Sequence, residues 1–199
     1  MVALRFEADR LCDAVSSAGA EMVIIGPRAR HIPSDLSSDA PPGAICCGIA
    51  GGLEPALNCG DIVLDELSTI DCCSLGLRMG KIFTAPEVVS TQQQKHAAFV
   101  ESGAQIVDME NAIVRQKCED CGVPFVGIRA VSDTATQSLD ALLFDLVDEE
   151  GDPRISAAIS ALMRRPTFMM DVYRARAGAN AALDRLARVL PHVINAMKK

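Results

Sequence analysis

The sequence predicts a single domain of the α/β class. Residues 107–133 read as a strand end, a helix closed by Gly122 and a second apolar strand, which is the pattern of a βαβ unit. Apolar strand patterns alternate with helical ones along much of the remaining chain. The 199 residues are 49% hydrophobic, which is enough for one buried core and short for two. We therefore expect one domain over residues 1–199.

The amino-terminal part predicts a strand over residues 1–6, a helix over 8–18 and a second strand over 22–25. Glu7 lies at the junction between the first strand and the helix. A carboxylate there is also favoured by the positive end of the helix dipole, so a purely structural role is the alternative to a functional one.

Two arginines, Arg28 and Arg30, follow a Gly-Pro turn after this second strand. Arginines behind a glycine turn suit the binding of an anion, and a solvated loop is the alternative. The next strand, over residues 44–49, runs into a glycine pair that begins at Gly51. Small residues at this point allow the backbone to approach a ligand closely.

The middle of the chain predicts a strand that opens at residue 61, another over 81–84 and a helix over 91–100. Thr91 is the expected N-cap of that helix, and Gly103 is its expected end. Two acids then follow predicted strand ends, Glu110 and Asp133. Because the ligand crevice of an open α/β sheet lies at the carboxyl ends of its strands, we expect both acids to face one ligand.

The carboxyl-terminal quarter is basic and helical. After a predicted apolar stretch over residues 139–147, a helical pattern runs from about 154 to about 196, with breaks at Pro166 and Pro191. From residue 154 onward, nine Lys and Arg stand against two Asp and Glu. These helices either pack on the sheet or a second subunit with a solvated basic face, or meet an anionic membrane surface.

The composition and charge argue against several classes of protein. A net charge of −7, no Trp and six Phe argue against a nucleic-acid surface. Charged residues near the start argue against a signal peptide, so we expect a cytoplasmic protein. The eight cysteines read as reduced thiols. Cys118 and Cys121 form a CxxC pair on a helix, but no histidine spacing completes a metal site, so we expect no metal and favour helix packing over a redox role.

The segments VDMEN, GVPFVGIRAVSD and GIAGGLEPALNCGDIVL resemble the nucleoside phosphorylase and nucleosidase superfamily, which includes methylthioadenosine/S-adenosylhomocysteine nucleosidases. The segment LMRRPTFMMDVYRARAGANAALDRL is more similar to the hopanoid-associated phosphorylase branch. The resemblance implies a three-layer α/β/α fold with a mixed central sheet. It also implies a homo-oligomer that cleaves the N-glycosidic bond of a purine nucleoside, most plainly one with a 5′-modified adenosyl group.

The resemblance also implies roles for individual residues. Asp133 is the general acid toward the purine, and Ser132 fixes its orientation. Glu110 binds the ribose hydroxyls, Met109 packs on the sugar, and Glu7 polarises the attacking water. As plain alternatives, Asp133 is a turn residue at a strand end and Glu110 an acid in the first turn of a helix.

The base is expected to lie against Val88, because the aromatic residue that related enzymes place there is missing. Water is favoured as the attacking group, since the usual phosphate ligands are absent. No cofactor is expected, and Arg28 and Arg30 keep phosphate open as a co-substrate. The alternative is a catalytically weak protein of the same fold that binds a nucleoside or a lipid headgroup.

Overall fold

The computed structural model describes residues 1–33, 36, 43–68, 77–140, 143 and 168–198. Its helices are α1 (Arg5–Ser17), α2 (Gln92–Ser102), α3 (Asn111–Asp120) and α4 (Phe168–Met197). Its strands are β1 (Ala44–Gly52), β2 (Ile62–Asp65), β3 (Arg78–Gly80), β4 (Ile82–Thr84), β5 (Ile106–Asp108) and β6 (Phe125–Asp133). A short 3₁₀ turn spans Pro27–Ala29.

The six strands form one mixed sheet in the order β3-β2-β6-β1-β5-β4. The central pair, β1 and β6, runs parallel along almost its whole length, with a bulge at Ala50 and Gly51. Both strands are apolar over most of their length because each is covered on both faces. Strand β5 pairs with the other edge of β1 in antiparallel orientation. The predicted α/β fold with a mixed central sheet is confirmed.

Helices cover both faces of the sheet. On one face α1 and α4 pack against β1, β2 and β6 through buried side chains that include Leu11, Val15, Leu183, Leu186, Val193 and Ile128. On the other face α3 packs through Val114 and Cys118 against Phe125. Gly178 lets α4 come close to the end of β6, since a Cβ there would lie 2.3 Å from the carbonyl oxygen of Ser132.

Helix α2 forms where the capping signals predict it. The Thr91 side chain accepts a hydrogen bond from the backbone amide of Gln94, and the Gln94 side-chain oxygen accepts one from the backbone amide of Thr91, which together make a capping box. Gly103 ends the helix in the left-handed conformation, with φ 65°. Strands also form at 44–52, 62–65 and 82–84, close to their predicted positions.

The βαβ prediction for residues 107–133 is wrong in one respect. Strand β1 lies between β5 and β6, and β5 runs antiparallel to β1 while β6 runs parallel to it. Glu110 and Asp133 therefore follow strands of opposite direction and do not lie at one carboxyl edge. An apolar run predicts a strand but not its direction, since side chains alternate in the same way whichever way the strand runs.

Three other predictions need correction. The amino-terminal strands over 1–6 and 22–25 are reduced to one parallel bridge between Val2 and Ile24, because α1 already begins at Arg5. Pro191 does not end α4, whose buried Leu190 and Val193 anchor both sides of it. Strand β3 was not predicted. Two predictions fall largely or wholly outside the described residues: the apolar stretch over 139–147, and the helical pattern over 154–167 with its break at Pro166.

None of the helices within the described residues is long and apolar enough to cross a membrane.

Candidate active site

Glu7 lies in the first turn of α1, and only 3% of the residue is exposed. Its Oε2 accepts hydrogen bonds from the amides of Ala3 at 3.1 Å and Leu4 at 2.9 Å, and its Oε1 accepts one from Ile49 at 2.9 Å. A Cβ at Gly48 would lie 2.6 Å from Oε1. Burial raises the pKa of Glu7 despite these amide bonds, so the group is a stronger proton acceptor than an ordinary glutamate.

Glu110 occupies the N-cap position of α3 without a side-chain bond to the helix, and its Oε1 accepts a hydrogen bond from the backbone amide of Arg28 at 3.0 Å. Burial raises the pKa of Glu110 to about 7; the charge of Arg129 opposes this shift, and those of Asp108 and Glu7 add to it. Glu110 and Glu7 therefore act on each other electrostatically. Two carboxyl groups with raised pKa values in one place are typical of an active site.

The loop of the predicted anion-binding arginines is joined to Glu110 through its backbone. Arg28 and Ala29 have φ values of 57° and 55°, which non-glycine residues seldom adopt. The strained turn points the Arg28 amide at Glu110, and strain of this kind is concentrated at functional sites. The side chains of Arg28 and Arg30 are both largely exposed.

Arg129 was not singled out in the sequence, yet it organises this region. Its guanidinium is buried, lies 2.6 Å from Oδ2 of Asp108 and donates a hydrogen bond to the carbonyl of Cys46 at 2.7 Å. Asp108 also accepts hydrogen bonds from the Thr84 hydroxyl at 2.7 Å and the Asn111 amide at 2.8 Å. The sequence feature that could have predicted the Arg129–Asp108 pair is the single arginine within the apolar sequence of β6, because a buried charge needs a partner.

Asp133 is the last residue of β6 and is 6% exposed. Its Oδ1 lies 2.6 Å from the hydroxyl of Ser132, as the proposed orienting role requires. Its Oδ2 forms an ion pair with Lys95 of α2, a residue that the sequence analysis missed. A Cβ at Gly51 would lie 3.4 Å from Oδ2, so this glycine is directly beside the acid.

Strand β1 joins these groups. Glu7 meets it at the amide of Ile49, and Asp133 pairs with it at Gly51, two residues further along, or roughly 7 Å. The acids therefore come together through β1 and not through a shared strand edge. Met109 is half-buried next to Glu110, and Val88 is half-buried between β4 and α2. Their predicted contacts with sugar and base stay predictions.

The CxxC pair belongs to the packing of α3. Cys118 is fully buried against the sheet and Cys121 lies at its edge. Burial, with a smaller contribution from Cys121, raises the pKa of the Cys118 thiol to about 11. A thiol with so high a pKa is a poor nucleophile and a poor metal ligand at neutral pH, which supports the packing role.

Comparisons with known proteins agree with this architecture. A family model described as the phosphorylase superfamily matches residues 71–164. The 5'-methylthioadenosine/S-adenosylhomocysteine nucleosidase of Pseudoalteromonas translucida (strain TAC 125) is 28% identical over 151 residues. That match covers 56% of this chain and 64% of the relative, so the chain spans less than two thirds of the relative's length.

Solved structures share the fold at low sequence identity. The apo 5'-methylthioadenosine nucleosidase of Arabidopsis thaliana matches with a TM-score of 0.60 and 16% identity, over 98% of this chain and 93% of that one. The futalosine hydrolase of Helicobacter pylori strain 26695 matches with a TM-score of 0.62 and 15% identity, over 99% and 94%.

Proposed function

We propose that this chain, which is similar to the phosphorylase superfamily over residues 71–164, is a nucleosidase of that superfamily that cleaves the N-glycosidic bond of a purine nucleoside and releases the base. The observation that carries the proposal is the arrangement of acids along β1. Glu7 is held at the amide of Ile49 and its charge adds to the raised pKa of Glu110, and Asp133 lies beside Gly51.

Cleavage of this bond needs help at both ends. Positive charge develops on the sugar, and the departing purine must accept a proton. Asp133 supplies that proton to the base, for which N7 is the accessible basic atom, and Ser132 orients the acid. At the other end Glu110 binds the ribose hydroxyls, and its negative charge stabilises the cationic sugar.

Water is the proposed attacking group. Glu7 is held by three backbone amides and has a raised pKa, so it is positioned and basic enough to take a proton from water. The relatives whose names state a reaction are nucleosidases and a hydrolase, which favours hydrolysis in this chain. Phosphorolysis is the second candidate, because the Arg28 amide already contacts Glu110 and an arginine side chain at that turn suits phosphate.

The proposed substrate is an adenosyl nucleoside modified at the 5′ position. Two relatives carry methylthioadenosine in their names, which supports this choice. Gly51 lets the backbone of β1 pass close to Asp133, and Met109 and Val88 are proposed to contact sugar and base.

The cellular location, the oligomeric state and a membrane contact are also proposed. We propose a cytoplasmic homo-oligomer of the hopanoid-associated branch. The amino-terminal half of α4 exposes Arg174 and Arg176 next to Met169, Met170 and Tyr173, which supports contact with an anionic membrane. Sedimentation with vesicles that contain anionic lipid, compared with neutral vesicles, tests that contact.

The reaction is tested by measuring adenine release from adenosine, methylthioadenosine and S-adenosylhomocysteine, each with and without phosphate. Hydrolysis gives free ribose or its 5′-modified form at a rate independent of phosphate. A requirement for phosphate, with a ribose 1-phosphate product, would establish phosphorolysis. Tight nucleoside binding without base release by the wild-type protein would overturn the enzymatic proposal in favour of a binding protein.

A further inference from the structure

Lys95 is a charged side chain that the proposed mechanism has not used. It lies in α2, is 0% exposed and forms the ion pair with Oδ2 of Asp133. Its ammonium also donates hydrogen bonds to the carbonyls of Thr134 at 2.7 Å and Gln137 at 2.9 Å. An ammonium has three N–H donors, so all three have acceptors here.

A contribution to stability does not by itself explain why a lysine is buried at this position. A buried ion pair contributes little net stability compared with apolar side chains of similar volume, because both charges lose their hydration. Helix α2 has independent anchors, since its Gln92 amide bonds to the Ser138 hydroxyl and Phe99 packs against the sheet. Stability alone therefore does not explain a buried charge at this position.

We propose that Lys95 is the positioning residue of the general acid, which holds Oδ2 of Asp133 so that Oδ1 faces the base, and whose charge stabilises the carboxylate that remains after proton transfer. This inference rests on the proposed function and assigns Lys95 a part in the same reaction. Lys95 touches Asp133 and not the reacting atoms, so it acts through the acid.

The hydroxyl of Ser132 can make Oδ1 available. It lies 2.6 Å from Oδ1 and 3.2 Å from the carbonyl oxygen of Ala50, and it has a single proton to donate. When Asp133 is ionised, that proton points at Oδ1. When Oδ1 carries the catalytic proton, the hydroxyl turns to Ala50, and Oδ2 stays bound to Lys95 in both states.

The proposed step conserves protons and electrons. The O–H bond of Asp133 breaks as an N–H bond forms on the purine, and the C1′–N9 electron pair passes to the base. Water forms the new bond to C1′ and gives its proton to Glu7. Asp133 is left as a carboxylate beside the Lys95 ammonium, and solvent exchange then returns a proton to Asp133 and removes one from Glu7.

A nearby thiol is also titratable. Cys59, in the loop after β1, lies 3.3 Å from the carbonyl oxygen of Ser132 through its Sγ. Burial raises the pKa of the Cys59 thiol, and the charges of Asp133 and Asp61 add to this effect while that of Lys95 opposes it. The thiol is therefore neutral at physiological pH, and among the charges identified around Asp133 in the described chain Lys95 is the positive one.

The test compares two substrates that differ in their need for a proton. An adenosyl nucleoside requires protonation of its leaving base, whereas its N7-methylated counterpart already carries a positive charge on the base and does not. Lys95→Met should lower kcat on the ordinary nucleoside by about 10²-fold, the scale of acid catalysis. On the N7-methylated substrate it should change kcat by only a few-fold.

The division of the effect between kcat and KM gives a second readout. Lys95 touches Asp133 and not the substrate, so Lys95→Met should lower kcat while KM changes by only a few-fold. Lys95→Arg keeps the charge but changes the geometry, so it should lower kcat less than Lys95→Met does, and it remains informative if the Met variant does not fold.

Lys198→Met is the matched control. Lys198 also donates to two backbone carbonyls, those of Ala18 and Gly19, but it lies just after the carboxyl-terminal end of α4. It should behave as wild type on both substrates. Equal losses of kcat on the two substrates in the Lys95 variants, or a loss that falls on KM, would overturn the inference alone. A wild-type protein that releases no base would overturn it together with the proposed function.

Discussion

The backbone amide of Ile49 donates a hydrogen bond to Oε1 of Glu7 at 2.9 Å, which ties the first helix of the chain to the central strand of the sheet. Two further amides, at the start of α1, hold the other carboxylate oxygen. The position of Glu7 is therefore set by backbone groups of two separate parts of the chain, and a change in either part should alter the candidate active site.

Gly48→Ala should lower activity by displacing Glu7. The new methyl group would lie 2.6 Å from Oε1, too close for any real contact, and the carboxylate cannot retreat without losing amide bonds. A displacement of this kind should reduce kcat by roughly 10-fold to 10²-fold. Steady-state kinetics on the best nucleoside measure it.

Gly43→Ala serves as the control for that variant. Gly43 lies just before β1 and away from Glu7. A methyl group there would meet the flexible end of the Met197 side chain. Activity close to wild type is expected. If Gly48→Ala also retained full activity, Glu7 would not need its observed position, and its role toward water would be wrong.

Asp133→Asn should lower the rate of base release by about 10²-fold or more, because an amide cannot donate the catalytic proton as an acid does. Folding should survive, since an asparagine oxygen can still accept from Lys95 and the ammonium keeps its bonds to two carbonyls. Circular dichroism and single-turnover kinetics measure the two effects. Near-normal turnover would contradict the assignment of Asp133.

Glu110→Gln should change how stability depends on pH. The folded pKa of Glu110 is about 7, above the ordinary value of 4.5, so the folded state prefers the protonated group. Its contribution to stability is full below about pH 4.5 and is lost as pH rises through 7. At about 1.4 kcal/mol per pKa unit, the loss amounts to a few kcal/mol at pH 8.

A neutral glutamine mimics the protonated acid, so Glu110→Gln should be more stable than wild type at pH 8 and similar to it at pH 5. Urea unfolding at both pH values measures the difference. The exposed Glu101, changed to Gln, is the control and should leave the pH dependence unaltered. The same loss of stability with rising pH in Glu110→Gln would show that another group causes it.

Gly178→Ala should destabilise the protein, although alanine normally strengthens a helix. The new methyl group would lie 2.3 Å from the carbonyl oxygen of Ser132 and 3.4 Å from its carbonyl carbon. Both are backbone atoms, so α4 must move away from β6. A loss of about 1–3 kcal/mol is expected. Thermal unfolding measures it, with Ala177→Val at the exposed neighbouring position as the control. Equal stability of the two variants would mean that α4 is free to shift.

Local signals in the sequence determined much of the molecule. Helix α2 lies between Thr91 and Gly103 because a threonine cap and a left-handed glycine act on their own neighbours in the chain. The resemblance carried by short segments predicted Glu7, Glu110, Ser132 and Asp133 as site residues. Strand β1 and its glycine pair were also recognisable, because a buried strand has an unbroken apolar run.

Only the tertiary structure decided how these pieces meet. The direction of β5 depends on its pairing with β1, and residue alternation does not encode it. The ion pairs Lys95–Asp133 and Arg129–Asp108 join residues 38 and 21 positions apart in the chain. A lysine in a helix and an arginine in a strand are common and do not by themselves indicate a site. Lys95 and Arg129 become part of the candidate active site because each is buried next to a carboxylate.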